Sequence, residues 1–108
     1  MEKVEFDYWT GCPNDVIESI NRAISRYLLY YKNVKVGITG RDPQMRFNEH
    51  QKDGKWKRMV VKYKTTSERF ANTVEKYFIT TRPELKNNWL GYSELSKNGD
   101  NYLYVIMK

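Results

Sequence analysis

The stretch at positions 34–50, VKVGITGRDPQMRFNEH, constrains the fold most, because within it a strand passes directly into a helix. Val34, Val36 and Ile38 alternate with polar or small residues. This two-residue period is typical of a strand that buries one face. The pattern therefore predicts a half-buried strand that ends in a turn before the helix begins.

The turn and the helix start are marked by residues with special backbone properties. Gly37 and Gly40 lie at the strand's exit, where the lack of a Cβ atom lets another backbone or a phosphate come close. Asp42 followed by Pro43 predicts the start of the helix, because Asp accepts hydrogen bonds from free amides and proline is tolerated at the first helical position.

The predicted helix carries two residues of chemical interest. Arg46 and His50 are four positions apart, which is the spacing of neighbours on one helix face. We therefore expect a cationic helix face directly after a buried strand.

The chain length, the net charge and the cysteine count limit the class of protein. A chain of 108 residues is expected to form one domain, 1–108, with a single modest core. The net charge of +6, from 19 Lys and Arg against 13 Asp and Glu, favours polyanionic partners. The only cysteine, Cys12, excludes an internal disulfide, and no Cys and His cluster predicts a zinc site.

The hydropathy pattern gives no sign of a membrane protein. The longest apolar run, from Tyr102 to Met107, is too short to span a bilayer, and the N-terminal MEKVEFD lacks the apolar region of a signal peptide. We therefore expect an intracellular protein with no membrane partner.

The remaining periodicities predict the other elements. They are strands at 2–9, 58–64 and 102–107, a helix at 14–30 capped by Asn14 or Asp15, and a helix that follows a cap at Thr65, Thr66 or Ser67 and ends near Thr80. Residues 84–98 fit a short helix or a packed loop. The expected fold is α+β, with a small mixed or antiparallel sheet of three to four strands flanked by helices.

A basic run lies at 52–64. It contains six basic residues, namely Lys52, Lys55, Lys57, Arg58, Lys62 and Lys64, against the single acid Asp53. With Trp56 and Tyr63 interleaved, the run is predicted to follow a phosphate backbone and stack a base. A solvated strand face is the alternative, since exposed strands often carry lysine. In the predicted strand, Met59, Val61 and Tyr63 share one face.

These motifs resemble the GIY-YIG nuclease domain. The run KVGIT and the R-x-x-x-H spacing of Arg46 and His50 are similar to that family's second strand and first helix. Glu75 in a predicted helix and Asn87 in RPELKNNW are similar to its metal-binding glutamate and the asparagine near its end. The likeness spans about residues 33–88, and Lys35 stands where the family usually has the first tyrosine of its YIG triplet.

The resemblance implies a phosphodiester hydrolase. Glu75 would hold one Mg²⁺ or Mn²⁺ ion, which needs few protein ligands because it keeps several waters. Arg46 would bind phosphate through its permanently charged fork, unless it pairs with Glu49. His50 would position water or contact phosphate.

Two further residues receive roles from the resemblance. Lys35 would replace the missing tyrosine by lowering the pKa of a neighbouring phenol, or is simply the exposed side of a strand. Asn87, or its neighbour Asn88, would orient the scissile region through hydrogen bonds.

The tyrosine of the family's GIY strand has three candidate locations, because a helix is predicted directly before the YIG-like strand. Tyr8 in the N-terminal strand keeps the family's strand order, with the helix at 14–30 as an insertion, and is favoured. The C-terminal strand YLYVIM would make the core circularly permuted. RYLLYY at 26–31 would require a strand instead of the last helical turn.

The resemblance thus implies a metal-dependent endonuclease that cuts DNA, with RNA not excluded. A catalytically inactive nucleic-acid-binding module on the same scaffold and a small protein-interaction domain are the alternatives. A chain of this length has no room for an appended reader domain, so target choice would come from loops, DNA structure, a homodimer or a separate targeting protein.

Overall fold

The computed structural model describes residues 3–85 and 95–108. Seven elements follow one another: β1 (Glu5–Trp9), α1 (Pro13–Tyr30), β2 (Val34–Thr39), α2 (Pro43–Gly54), β3 (Arg58–Thr65), α3 (Glu68–Thr81) and β4 (Asn101–Met107). They form one mixed four-stranded sheet flanked by helices, which confirms the predicted α+β class.

The C-terminal strand lies inside the sheet. The strand order is β1-β3-β4-β2, with β4 antiparallel to both β3 and β2, and with β1 parallel to β3. In the β2–β4 register, Gly37 lies opposite Tyr104. The first strand is therefore separated from β2 by two other strands.

The helices cover both faces of the sheet. α1 and α3 pack on one face through Ile20, Ile24, Val74 and Phe78, against alternate strand residues such as Val36 and Val105. α2 packs on the other face, where Phe47 meets the side chains that alternate with those. Because successive strand residues point to opposite faces, the inner strands β3 and β4 contribute to both clusters.

An irregularity in β3 changes its alternation. The register with β4 shifts between Val61 and Tyr63. Met59 and Val61 belong to the cluster under α2, whereas Tyr63 belongs to the one under α1 and α3. The prediction that all three share one face is wrong, because a bulge re-aims the side chains that follow it.

The helix caps fit the local chemistry. The Asp42 carboxylate accepts a hydrogen bond of 3.0 Å from the Gln44 backbone N–H, and Pro43 is the first helical residue, as predicted. Ser67 caps α3 by accepting from the Phe70 N–H at 3.0 Å. Among the three predicted caps for that helix, Ser67 is therefore the one used.

The start of α1 differs from the prediction. Cys12 precedes the helix without a side-chain cap bond, and Pro13 is its first residue. The predicted caps Asn14 and Asp15 thus lie within the first turn, because proline is already compatible with the first helical position. Residues 26–30 are helical, which excludes a strand at RYLLYY. Across the described ranges, no helix has the length and apolar character needed to cross a bilayer.

Candidate active site

The centre of the site is a buried tyrosine beneath α2. Tyr104 of β4 is 3% exposed, and its hydroxyl lies 2.8 Å from Nε2 of His50. The two rings meet edge to face, with centroids 5.7 Å apart and planes at 64°. The helix that follows the glycine turn therefore directs His50 onto the middle strand of the sheet.

Arg46 faces the same tyrosine from one turn earlier. Burial opposes its charge, but the Tyr104 hydroxyl and the Glu49 carboxylate together raise the pKa of Arg46 above its ordinary value. Glu49 accepts from Arg46 Nη1 at 3.0 Å and from Arg41 Nη2 at 2.8 Å. The ion pair that the sequence offered as an alternative role for Arg46 is thus present, and it holds the guanidinium beside the phenol.

The tyrosine responds to these charges. Burial raises the pKa of Tyr104, the Arg46 guanidinium opposes the rise, and the negative charges of Glu75 and Glu49 add to it. Because the net shift is upward from a value of about 10, the phenol is protonated at neutral pH. Its hydroxyl can then donate to the imidazole or accept from a neighbouring donor.

Glu75 belongs to α3, which packs on the face of the sheet opposite to α2. The residue is only 9% exposed, and burial raises the pKa of its carboxyl to about 7. Among residues 3–85 and 95–108 no hydrogen bond or ion pair to this carboxylate is found. Its link to Tyr104 is its negative charge, which adds to the raised pKa of the phenol.

Gly37 makes room for the tyrosine. A Cβ atom at this position would lie 2.4 Å from the Tyr104 hydroxyl oxygen and 2.5 Å from the ring carbon that bears it. Such distances are far below van der Waals contact, so the phenol can cross β2 only because residue 37 has no side chain. The glycine of the KVGIT run therefore shapes the site.

We expect Gly37→Ala to lower the free energy of unfolding by about 1 to 3 kcal/mol, because the buried Tyr104 ring must move to relieve the overlap. Urea denaturation measures the change. Lys32→Ala, at an exposed position just before β2, is the control and should stay within about 0.5 kcal/mol of the parent. Equal stability of Gly37→Ala and the parent chain would contradict the close approach.

Lys35 and Trp56 interact with each other. The Lys35 ammonium lies 5.6 Å from the centroid of the Trp56 ring, and Lys108 lies 4.7 Å from it. Trp56 is only 8% exposed. The indole that was predicted to stack a base is thus already covered, and the ammonium of Lys35 is directed to it.

The basic run does not form one surface. Lys52, Lys55 and Lys57 are exposed. Arg58 donates two hydrogen bonds to the Glu5 carboxylate, at 2.6 and 2.8 Å. The Lys62 side chain is 4% exposed and pairs with Asp7 at 3.1 Å, so the expected continuous phosphate track is reduced to the three exposed lysines.

Tyr8 lies outside this cluster. It is part of β1, which pairs with β3 and not with β2, and its ring is 41% exposed beside the Lys64 ammonium at 5.7 Å. The favoured location for the GIY tyrosine therefore does not adjoin the YIG-like strand. Asn87 lies outside the described residues.

Sequence reasoning underrated Tyr104. Its strand is one of the three candidate locations for the GIY tyrosine, but the pattern does not single out Tyr104 within it and gives no indication of a role for Arg41. The available signal was the repeated tyrosine in YLYVIM, together with a glycine in the strand that would face it.

No protein-family model, curated protein or solved structure matches this chain. In the part of the chain that the structure describes, no group of three or more His, Cys, Asp and Glu side chains is arranged to hold a metal ion.

Proposed function

We propose that this protein is a metal-dependent endonuclease of the GIY-YIG type, with a circularly permuted core, that hydrolyses phosphodiester bonds of DNA, with RNA not excluded. The observation that supports this most is Tyr104 on β4, which lies opposite Gly37 of β2 and against Arg46 and His50. In this reading YLYVIM takes the part of the GIY strand and Tyr104 that of its tyrosine.

The donor set fits a hard divalent ion. Mg²⁺ prefers oxygen ligands and is commonly bound by one or two carboxylates with several waters and substrate phosphate. Glu75 offers such a carboxylate, and no lysine or arginine of the described residues pairs with it. When bound there, the ion would stabilise the negative charge on the leaving oxygen.

The chain's own residues would bind the phosphate and move a proton. Arg46 would donate to the nonbridging oxygens of the scissile phosphate, which requires that Glu49 give up its place on the guanidinium. Tyr104 would accept a proton from the attacking water while passing its own hydroxyl proton to Nε2 of His50. The hydroxide then forms the new bond to phosphorus as the bond to the leaving oxygen breaks.

The experiment is plasmid nicking. Supercoiled DNA should be nicked in Mg²⁺ and left intact in EDTA, and Arg46→Ala should nick about 100-fold more slowly because one phosphate donor is lost. Arg22→Ala is the matched control, since its guanidinium is exposed on α1 and pairs with Glu18.

Two outcomes would contradict the proposal. One is nicking by Arg46→Ala at the rate of Arg22→Ala. The other is salt-dependent binding of nucleic acid that persists in EDTA without any cleavage in Mg²⁺, which would favour the inactive binding module.

A further inference from the structure

A cavity lies beside α1, on the side of the sheet opposite to α2. It measures about 420 Å³ and is lined by Asp7, Arg26, Tyr27, Tyr30, Tyr31 and Arg58. Ligand cavities commonly measure roughly 300 to 1,000 Å³. The space is therefore large enough for one nucleotide-sized group, and the candidate active site uses none of its residues.

The charged residues that line the cavity differ in whether an ion pair already holds them. Arg58 is held by Glu5, and Asp7 is held by Lys62. Arg26 is exposed, and within the described residues it has no carboxylate partner. Arg26 is thus the lining cation whose guanidinium can bind an anion without first breaking an ion pair.

The tyrosines that line the cavity differ in how much of each ring is exposed. The Tyr27 ring is 7% exposed, and the Arg58 guanidinium covers it at 5.4 Å from the centroid. Tyr30, in contrast, is 80% exposed, although it ends a helix whose other face is packed in the core. Its ring is a free stacking platform at the mouth of the cavity.

The free cation and the free ring are neighbours. Arg26 and Tyr30 are four positions apart on α1, a spacing that separates Cβ atoms by roughly 5 to 6 Å on one helix face. An anionic group and a flat aromatic group separated by a short link would meet both at once. A nucleotide has these features, because its base has a flat π-face and its sugar links that base to one phosphate.

We infer that this cavity binds one nucleotide of a single-stranded nucleic acid, with its base stacked on Tyr30 and its phosphate on Arg26. The class of ligand rests on the proposed function, but the site is distinct from the Tyr104 cluster. It gives the protein a second contact with the strand, beside α1 and on the face of the sheet opposite to Arg46 and His50.

The test measures binding of short, labelled, single-stranded DNA and RNA oligonucleotides by fluorescence anisotropy, in EDTA and at several salt concentrations. Tyr30→Ala should weaken affinity about tenfold without changing the salt dependence, because stacking carries no charge. Arg26→Gln should also weaken affinity and lower the slope of log K against log salt by about 0.7, the value for one lost phosphate contact.

The controls are Tyr77→Ala, an exposed tyrosine on α3, and Arg22→Gln, one turn before Arg26 on α1. Both should bind as the parent does. The inference is wrong if Tyr30→Ala and Arg26→Gln bind as tightly as these two controls, or if the parent chain binds no oligonucleotide. Plasmid nicking is scored separately, so failure of this site and failure of the endonuclease proposal give different results.

Discussion

Glu75→Gln is expected to nick supercoiled plasmid about 1,000-fold more slowly than the parent chain in Mg²⁺. The amide keeps the size and burial of the side chain but removes the charge that a hard divalent ion requires. Without the ion's positive charge at the leaving oxygen, the activation free energy of hydrolysis should rise by the amount that such electrostatic contacts usually lower it. Initial rates of conversion from supercoiled to nicked DNA measure the effect.

Two comparisons make this result specific. Glu18→Gln removes an exposed carboxylate of α1 that pairs with Arg22, and it should nick at the parental rate. Oligonucleotide affinity in EDTA should be the same for Glu75→Gln and the parent, because the exposed lysines and the cavity at Tyr30 are untouched. Parental nicking by Glu75→Gln would remove the metal-binding role from this glutamate.

Local features of the fold could be predicted from the sequence because neighbouring residues determine them. The alternation of Val34, Val36 and Ile38 requires only that one face of a strand be buried, and Asp42 with Pro43 specifies a helix start by its own hydrogen bonding. Arg46 and His50 both lie against Tyr104, because residues four positions apart share one face of a helix. Half of the candidate site was therefore visible in one short stretch.

Strand pairing could not be predicted in the same way. Gly37 and Tyr104 face one another across two strands that are far apart in the chain, and nothing local specifies that β4 lies between β2 and β3. The prediction of Tyr8 rests on the strand order of the family that the sequence resembles. The physical arrangement instead buries the more apolar C-terminal strand in the middle of the sheet and leaves β1 at the edge.

Two backbone irregularities determine which basic residues of the run at 52–64 are exposed. Lys55 adopts a left-handed conformation, with φ of 53°, that ends α2 just before the buried Trp56. The register shift between Val61 and Tyr63 changes the alternation around Lys62, which pairs with β1. A charge count treats every lysine as equally exposed, so it could not separate Lys62 from the exposed lysines.

Glu75 also predicts a pH dependence of stability. Its pKa is about 7 in the folded chain against an ordinary 4.5, so the folded state binds this proton more tightly than the unfolded state does. Stability from this group is complete below about pH 4.5 and is lost as the pH rises toward 7. The shift of about 2.5 pKa units corresponds to a loss of about 3 kcal/mol, since one unit is about 1.4 kcal/mol.

Glu75→Gln should therefore be more stable than the parent chain by about 3 kcal/mol at pH 8 and nearly equal to it at pH 4, because the amide cannot ionise in its buried position. Urea denaturation at both pH values gives the difference, and Glu18→Gln should show less than about 0.5 kcal/mol at either. If Glu75→Gln were less stable than the parent at pH 8, the carboxylate would have to be held by a favourable contact, and desolvation would not govern its chemistry. If it is more stable and also inactive, the chain keeps a destabilising carboxylate at the position where the proposed reaction needs one.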